Sequence, residues 1–209
     1  PGIDAVTFTG SVTTGRKVAA ACAGANKKFQ LEMGGKNPFV VLDDADIGVA
    51  VECAVNSGYF STGQRCTASS RVIVTEGIHN RFVEAMIARM QQLNVDHALK
   101  AGTHVGPVVD QSQLEQDLTY IEIGKSEGAR LAAGGQLLAR ETPGFYLEPA
   151  LFTDVNAGMR IYREEIFGPV VSVTRVKDYE AALAAANDTQ FGLASGIATA
   201  SLKYASHFR

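Results

Sequence analysis

Residues 71–93, RVIVTEGIHNRFVEAMIARMQQL, place a β-branched run directly before a helical pattern. Arg71–Thr75 predicts a short buried strand, which Gly77 ends. The residues that follow carry apolar side chains at the spacing of one helix face: Phe82, Val83, Met86, Ile87, Met90 and Leu93. A strand followed at once by an amphipathic helix is the unit from which α/β domains are built, so this stretch predicts the fold class.

The same alternation continues on both sides of this stretch. Apolar runs predict strands at residues 5–8, 29–31, 39–42, 170–176 and 192–199. Four further helices are predicted. One starts near Thr14, and a second contains Leu114, Leu118 and Ile121 and ends near Gly128. A third runs from Tyr179 to Ala186, and a fourth starts at Leu202. The expected fold is therefore α/β, with a mainly parallel open sheet flanked by helices.

Composition excludes several classes of protein. The net charge of −3 argues against a nucleic-acid binder, and no apolar run is long enough for a membrane span. Three cysteines without a CxxC pair, and four histidines without metal-ligand spacing, predict neither a disulfide framework nor a metal site. This cysteine usage favours a reducing compartment, so a cytoplasmic location is expected. Because the chain opens without Met or a signal segment and stops inside a predicted helix, we expect a fragment, truncated at both ends.

The first segment with chemical potential joins a predicted strand to a helix through Gly10 and Ser11. Free N–H groups and the positive end of the helix make such a junction a natural phosphate site. The segment nearly matches a P-loop, but Arg16 follows Gly15 where a lysine is required, and Val18 cannot ligate magnesium. Nucleotide triphosphate hydrolysis is therefore rejected, which leaves either phosphate binding or an ordinary capped helix.

The second segment places Glu32 at the end of a predicted strand, just before Met33 and the pair Gly34-Gly35. A glutamate in this position can face a cleft, where partial loss of water suits a general base. The alternative is a surface glutamate that caps a turn.

The third segment surrounds Cys66 with small polar residues. Cys22 and Cys53 instead have aliphatic neighbours, which predicts that they are buried structural thiols. Loop amides and Arg65 can favour the thiolate of Cys66, the form that attacks carbonyl groups. A cysteine hydrolase would in addition need a histidine close to this thiol, and none is near in sequence.

The fourth segment contains Glu164, Glu165 and Phe167, followed by Gly168-Pro169. A carboxylate can bind both hydroxyl groups of a ribose, and an aromatic edge can form the wall of a nicotinamide site. The alternative is an ordinary helix end, although paired acids are unfavourable at the negative end of a helix dipole.

Four stretches, in this order, resemble motifs of the aldehyde dehydrogenase superfamily: Phe8–Ser11, Glu32–Lys36, Gly63–Cys66 and Glu164–Pro169. The resemblance runs along the whole chain and implies that family's Rossmann-like catalytic domain. It also implies NAD(P)-dependent oxidation of an aldehyde to a carboxylic acid. The variants around Lys36-Asn37 and Cys66 are most similar to α-ketoglutaric semialdehyde (2,5-dioxopentanoate) dehydrogenases.

The resemblance further implies a role for each matching residue. Cys66 corresponds to the nucleophile, which forms a thiohemiacetal and then a thioester, and Glu32 to the general base. The cofactor, NAD or NADP, is expected to contact Gly10, Ser11, Met33, Gly34, Glu165 and Phe167.

It also implies how the chain is divided. Residues 1–33 would be the end of a cofactor-binding domain, and residues 34–209 a catalytic domain without its C-terminal end. The expected partner is a small aldehyde, with no nucleic acid and no membrane, and the parent enzyme is expected to be a dimer or tetramer. Because half of the cofactor site would be missing, the isolated chain is expected to be inactive. The alternatives are a non-catalytic binding or structural protein on the same scaffold and a cysteine hydrolase.

Overall fold

The apolar runs form strands and the helical patterns form helices in a computed structural model, which describes residues 2–209. The strands are β1 (Ala5–Gly10), β2 (Lys28–Met33), β3 (Pro38–Val41), β4 (Arg71–Thr75), β5 (Arg130–Ala133), β6 (Ala150–Thr153), β7 (Val170–Val176) and β8 (Gly196–Ala198). The helices are α1 (Val12–Gly24), α2 (Ile47–Tyr59), α3 (Glu76–Met90), α4 (Gln111–Ser126), α5 (Arg160–Arg163), α6 (Tyr179–Asn187) and α7 (Leu202–Phe208).

Within residues 2–209 the strands form two sheets. Strands β1 and β2 pair in parallel as a two-stranded sheet. The other six follow the order β5-β6-β7-β4-β3-β8, and all neighbours are parallel except the antiparallel edge pair β5 and β6. The predicted α/β class with a mainly parallel, helix-flanked sheet is confirmed. The change of sheet falls between β2 and β3, close to the domain boundary predicted at residue 33, which stays a prediction.

Helices cover the six-stranded sheet on both faces, so its central strands are buried throughout their length. Side chains of β3 and β4 alternate: Val41 and Val72 pack against α2 and α3, whereas Val40 and Ile73 pack against α6. This two-sided burial explains why these strands are continuous apolar runs in the sequence rather than alternating ones.

Aspartate side chains fix where three of these helices begin. Asp46, Asp110 and Asp178 precede α2, α4 and α6, and each carboxylate accepts a hydrogen bond from the backbone N–H three residues later. These bonds satisfy N–H groups that have no partner inside the helix. Helix α2 and strands β5 and β6 are not predicted by the sequence patterns described above.

The strand predicted at residues 192–199 is shorter than expected. The structure has β8 only from Gly196, because the N–H of Ala194 donates to the side-chain Oδ1 of Asn37 at 3.1 Å instead of joining the sheet. This departure from regular pairing ties the residues before β8 to the loop that follows β2.

Candidate active site

The carboxyl ends of β1 and β2 form one wall of the candidate site. The parallel register places Thr9 opposite Glu32 and Gly10 opposite Met33, so the predicted phosphate turn and the predicted base lie side by side. Helix α1 begins immediately after Ser11, whose Oγ accepts from the Thr14 N–H at 3.2 Å. The N-terminal N–H groups of α1 therefore lie at this wall, where they favour an anionic group.

Glu32 is exposed at the end of β2, not partly buried as predicted. The reason is that β2 pairs with β1 alone, and α1 packs against Leu31 and Met33 but leaves Glu32 uncovered. Its Oε1 accepts a hydrogen bond from Gln30 Nε2 at 3.3 Å.

The Gly34-Gly35 turn seats the carboxylate of Glu165. The N–H of Gly35 donates to Glu165 Oε1 at 2.9 Å. A Cβ atom on Gly34 would collide with Glu165 Oε2, so the close approach requires glycine here. The structure thus joins two of the sequence motifs that lie 130 residues apart.

Glu164 and Glu165 have separate roles, although they are adjacent. The side chain of Glu164 points away from the Gly34-Gly35 turn. Arg160 donates to its carboxylate at 2.9 Å, and the Tyr120 hydroxyl donates to it at 2.6 Å. These contacts hold the pKa of Glu164 below its ordinary value, with the hydrogen bond from Arg160 as the largest cause. Of the two predicted acids, Glu165 is the one that reaches the site.

Cys66 follows a strained segment of backbone. Ser61, Thr62 and Gly63 have φ angles of 55°, 59° and 65°, in the left-handed region that disfavours residues with a Cβ atom. A Cβ on Gly63 would also collide with the carbonyl oxygen of Gly168. Three such residues in a row persist only when the surroundings hold them, and they cluster at functional sites.

Side chains from neighbouring segments fix the loop on both sides of the thiol. Asn37 Nδ2 donates to the carbonyl oxygens of Cys66 at 2.7 Å and Ala68 at 2.9 Å. Arg65 donates to the carbonyls of Asn56 and Ser57 at the end of α2, at 2.8 and 2.9 Å. The guanidinium group therefore anchors the loop, a role beyond the thiolate stabilisation that we predicted from sequence.

Phe167 lies on a second strained turn. Its φ of 62° is unusual for an aromatic residue, and the residue is 39% exposed. The preceding carbonyl, of Ile166, accepts hydrogen bonds from Gln113 and Gln116 of α4. Helix α4 therefore holds the turn that presents Phe167.

These segments enclose a cleft of about 660 Å³, here called the Cys66 cleft. It is lined by Thr9, Gly10, Ser11, Glu32, Met33, Gly34, Gln64, Arg65, Cys66, Thr67, Gln113, Glu165 and Phe167. All eight residues predicted from sequence to be catalytic or cofactor-binding are in this set. Cys66 itself is half-buried, so the thiol has not been sealed into the core.

The aliphatic neighbours of Cys22 and Cys53 in sequence predicted that both thiols are buried. Cys22 is buried, as predicted, but Cys53 is exposed, so the prediction for Cys53 was wrong. Cys53 lies with Glu52 on the outer side of α2, whereas Val51 and Ala54 are buried in the core.

None of the four histidines lines the Cys66 cleft. His79 lies against Asn80 and Arg175, His104 accepts from the N–H of Asn94, and His207 contacts the Tyr179 hydroxyl. A cysteine hydrolase needs a histidine within hydrogen-bond reach of the thiol. Among residues 2–209, the hydrolase alternative therefore has no histidine base in the cleft.

Three buried charged residues lie behind the cleft, and sequence analysis missed all of them: Lys36, Arg71 and Asp117. Burial lowers the pKa of Lys36 to about 7 and raises that of Asp117 to about 7, because both charged forms lose water. Asp117 Oδ1 accepts from Gln113 Nε2 at 2.8 Å, and its carboxylate lies against Gly168. Asp117 thus supports the turn that carries Phe167.

Two further properties of residues 2–209 bear on the site. No cluster of three or more histidine, cysteine or acidic side chains is placed to hold a metal ion in this part of the chain. No helix among the described residues has the length and apolarity to cross a membrane.

A sequence model of the aldehyde dehydrogenase family matches residues 1–209. The chain belongs to this family. Among curated aldehyde dehydrogenases, the α-ketoglutaric semialdehyde dehydrogenase of Bacillus subtilis is 46% identical over 200 residues, which are 95% of this chain and 41% of that enzyme. The betaine aldehyde dehydrogenase of Brucella anthropi is 44% identical over 199 residues, 94% of this chain and 41% of that enzyme.

Solved aldehyde dehydrogenases have the same fold. The betaine aldehyde dehydrogenase of Staphylococcus aureus, in complex with NAD+, superposes with a TM-score of 0.95 at 36% identity. The match covers 99% of this chain and 41% of that one. The chain thus spans about two fifths of the aldehyde dehydrogenases that it resembles.

Proposed function

We propose that this chain carries the nucleophile, the general base and part of the cofactor site of an NAD(P)-dependent aldehyde dehydrogenase. The proposal rests on one observation: Cys66 and Glu32 line a single cleft together with Gly10, Glu165 and Phe167. Family membership and the NAD+-bound Staphylococcus aureus relative support it. The non-catalytic alternative gives no reason for a half-buried thiol and a carboxylate to share this cleft.

The chemistry of the cleft suits a pyridine dinucleotide. The N-terminal N–H groups of α1, next to Gly10 and Ser11, fit a pyrophosphate, because they combine free donors with a partial positive charge. Glu165 would accept hydrogen bonds from ribose hydroxyl groups, and Phe167 would border the nicotinamide, with Met33 and Gly34 lining the same wall. When bound, NAD(P)+ supplies the hydride acceptor for the oxidation.

Cys66 would begin the reaction by adding its thiolate to the aldehyde carbon, which moves the carbonyl electrons onto oxygen and forms a thiohemiacetal. The oxyanion needs hydrogen-bond donors, and the Cys66 N–H, which finds no acceptor among residues 2–209, is suitably placed next to the sulfur. Loss of hydride from the same carbon leaves an acyl group on Cys66 as a thioester.

Glu32 would complete the reaction by removing a proton from water, so that hydroxide attacks the thioester carbon. The C–S bond then breaks, releasing a carboxylic acid and the Cys66 thiolate. An exposed glutamate at the rim of the cleft has direct access to water, which this step consumes.

The substrate that we propose is 2,5-dioxopentanoate, an aldehyde that also carries a carboxylate. The resemblance to the Bacillus subtilis enzyme supports it, and so does the charge of Arg65, which flanks the nucleophile in the cleft. A guanidinium group favours a carboxylate and disfavours a quaternary ammonium such as that of betaine aldehyde. We further propose that the active enzyme is a dimer or tetramer and that its cofactor is NAD or NADP.

The test uses the complete protein encoded by the gene that contains this sequence, assayed for NAD(P)H formation with each aldehyde and each cofactor. Cys66→Ser should abolish turnover, whereas Cys53→Ser, at an exposed cysteine outside the cleft, should leave it intact. Glu32→Gln should give one burst of reduced cofactor and then stop at the thioester, while Glu84→Gln on the exposed side of α3 should behave like the parent. Steady turnover by Cys66→Ser would refute the proposed nucleophile.

A further inference from the structure

Lys36 is a lysine buried without a partner. Its side chain is 1% exposed, and Nζ makes no hydrogen bond to any other atom of residues 2–209. A buried, unpartnered ammonium group is strongly unfavourable, so such residues are rare in protein interiors. A local violation of this kind marks a site at which function, rather than stability, maintains the residue.

The charges that act on Lys36 come from two neighbouring segments. Glu165 and Glu164, which follow α5, favour its charged form, whereas Arg71 of β4 opposes it. Arg71 already donates to backbone carbonyls at the end of α6, and Glu164 is bound by Arg160. Glu165 is therefore the acidic neighbour whose charge is still available to Lys36.

Backbone connectivity also couples Lys36 to Glu165. Gly34 leaves room for the Glu165 carboxylate, Gly35 donates to it at 2.9 Å, and Lys36 is the next residue. The turn that seats the carboxylate and the buried lysine thus belong to three consecutive residues. Glu165 lines the Cys66 cleft, and its charge acts on the buried ammonium group of Lys36.

We propose that Lys36 is a positioning residue for Glu165: its buried ammonium group attracts the carboxylate and helps to keep it seated on the Gly34-Gly35 turn, ready to accept hydrogen bonds from the cofactor ribose. This inference rests on the proposed function, because it assigns the ribose to Glu165. Lys36 acts on cofactor affinity and touches neither the thiol nor the substrate.

The arrangement makes cofactor affinity depend on pH near neutrality. Burial is the largest cause of the lowered pKa of Lys36, about 7, so the ammonium charge is present at pH 6 and lost by pH 9. Loss of this charge removes its hold on Glu165, and NAD+ should then bind more weakly. Asp117 also titrates near pH 7 and supports the neighbouring Phe167 turn, so Asp117→Asn is the control that isolates Lys36.

The experiment measures the dissociation constant of NAD+ by calorimetry at pH 6 and pH 9, using the complete protein. The parent and Asp117→Asn should bind NAD+ about five- to tenfold more weakly at pH 9, a typical coupling between two sites. Lys36→Met should bind weakly at both pH values, without pH dependence. Lys28→Met removes an equal charge from an exposed position on β2 and should match the parent.

Three readouts separate this role from a structural one. At saturating NAD+, Lys36→Met should keep the parent kcat, and Cys66 should react with iodoacetamide at the parent rate when no cofactor is present. Lys36→Met should also melt at a higher temperature at pH 6, because the variant no longer buries a charge. A residue that merely supports the fold would lower the melting temperature instead.

Two results would overturn the inference, and the first of them needs no variant. If the parent bound NAD+ equally well at pH 6 and pH 9, Lys36 would not control Glu165. The same conclusion would follow if Lys36→Met retained the pH dependence of the parent. A complete protein that bound no NAD+ at either pH would refute the proposed function as well, so the two failures can be told apart.

Discussion

Substitution of Gly34 by alanine would separate cofactor binding from the chemistry at Cys66. A Cβ at this position collides with Glu165 Oε2 and would also lie only 2.6 Å from the carboxyl carbon and 2.7 Å from Oε1. The whole carboxylate must therefore leave its seat. Gly34 has no left-handed φ angle, so the backbone itself can accept alanine without strain.

The size of the effect follows from the contact that is lost. The Gly35 N–H to Glu165 Oε1 hydrogen bond, at 2.9 Å, has an ionised acceptor, and such bonds contribute about 1.5–3 kcal/mol. At about 1.4 kcal/mol for each factor of ten, the dissociation constant of NAD+ should rise about 10- to 100-fold. The rate of Cys66 alkylation in the absence of cofactor should not change.

The assay is a calorimetric NAD+ titration of the complete protein, with iodoacetamide labelling of Cys66 in parallel. Gly24→Ala is the matched control, since a Cβ there meets no other atom within 4 Å and lies at the far end of α1. An unchanged NAD+ affinity in Gly34→Ala would show that the seat on the Gly34-Gly35 turn does not position Glu165 for the cofactor.

Three further outcomes follow from the geometry. Asn37→Ala removes the side-chain donor to the Cys66 and Ala68 carbonyls, and urea unfolding should show a loss of about 2–4 kcal/mol in stability. Its kcat should also fall further than that of the control Asn80→Ala, which changes an exposed position on α3. Burial raises the pKa of Asp117 to about 7, so its carboxyl group stabilises the fold below about pH 4 and loses that contribution as the pH rises through 7. The free energy of unfolding of Asp117→Asn should therefore exceed that of the parent by about 2–4 kcal/mol at pH 8 and by little at pH 4. Equal differences at both pH values would contradict this prediction. Arg65→Gln should raise KM for 2,5-dioxopentanoate about tenfold more than KM for propanal, and an equal rise for both aldehydes would remove the carboxylate from the proposed substrate.

The parts of the fold that sequence predicted well are those with strong local signals. Strands β4 and β7 have the predicted ends, because each is a β-branched run bounded by residues that end strands. The order of motifs identified the family, and those motifs lie at the ends of strands and helices, where side chains converge on a cleft. Cys66, Glu32 and Glu165 could be proposed together for this reason.

The parts that sequence missed depend on what each residue packs against. Strand β5 consists of Arg-Leu-Ala-Ala at a half-exposed edge and has no alternating pattern to find. Glu32 is exposed and Cys53 faces outward because of the sheet and helix faces on which they lie, which local composition does not specify. Lys36, between a glycine and an asparagine, resembles a loop residue in sequence, although it is among the most buried side chains of the chain.

The contact between Gly35 and Glu165 joins residues 130 positions apart, and Gly63 packs directly on Gly168. During translation, the cysteine loop therefore leaves the ribosome well before the segment that completes its surroundings. The Cys66 cleft cannot form in a nascent chain until the stretch through Gly168 has emerged and docked. The geometry of the Cys66 cleft therefore depends on folding of the later segment that carries Gly168, and not on the cysteine loop alone.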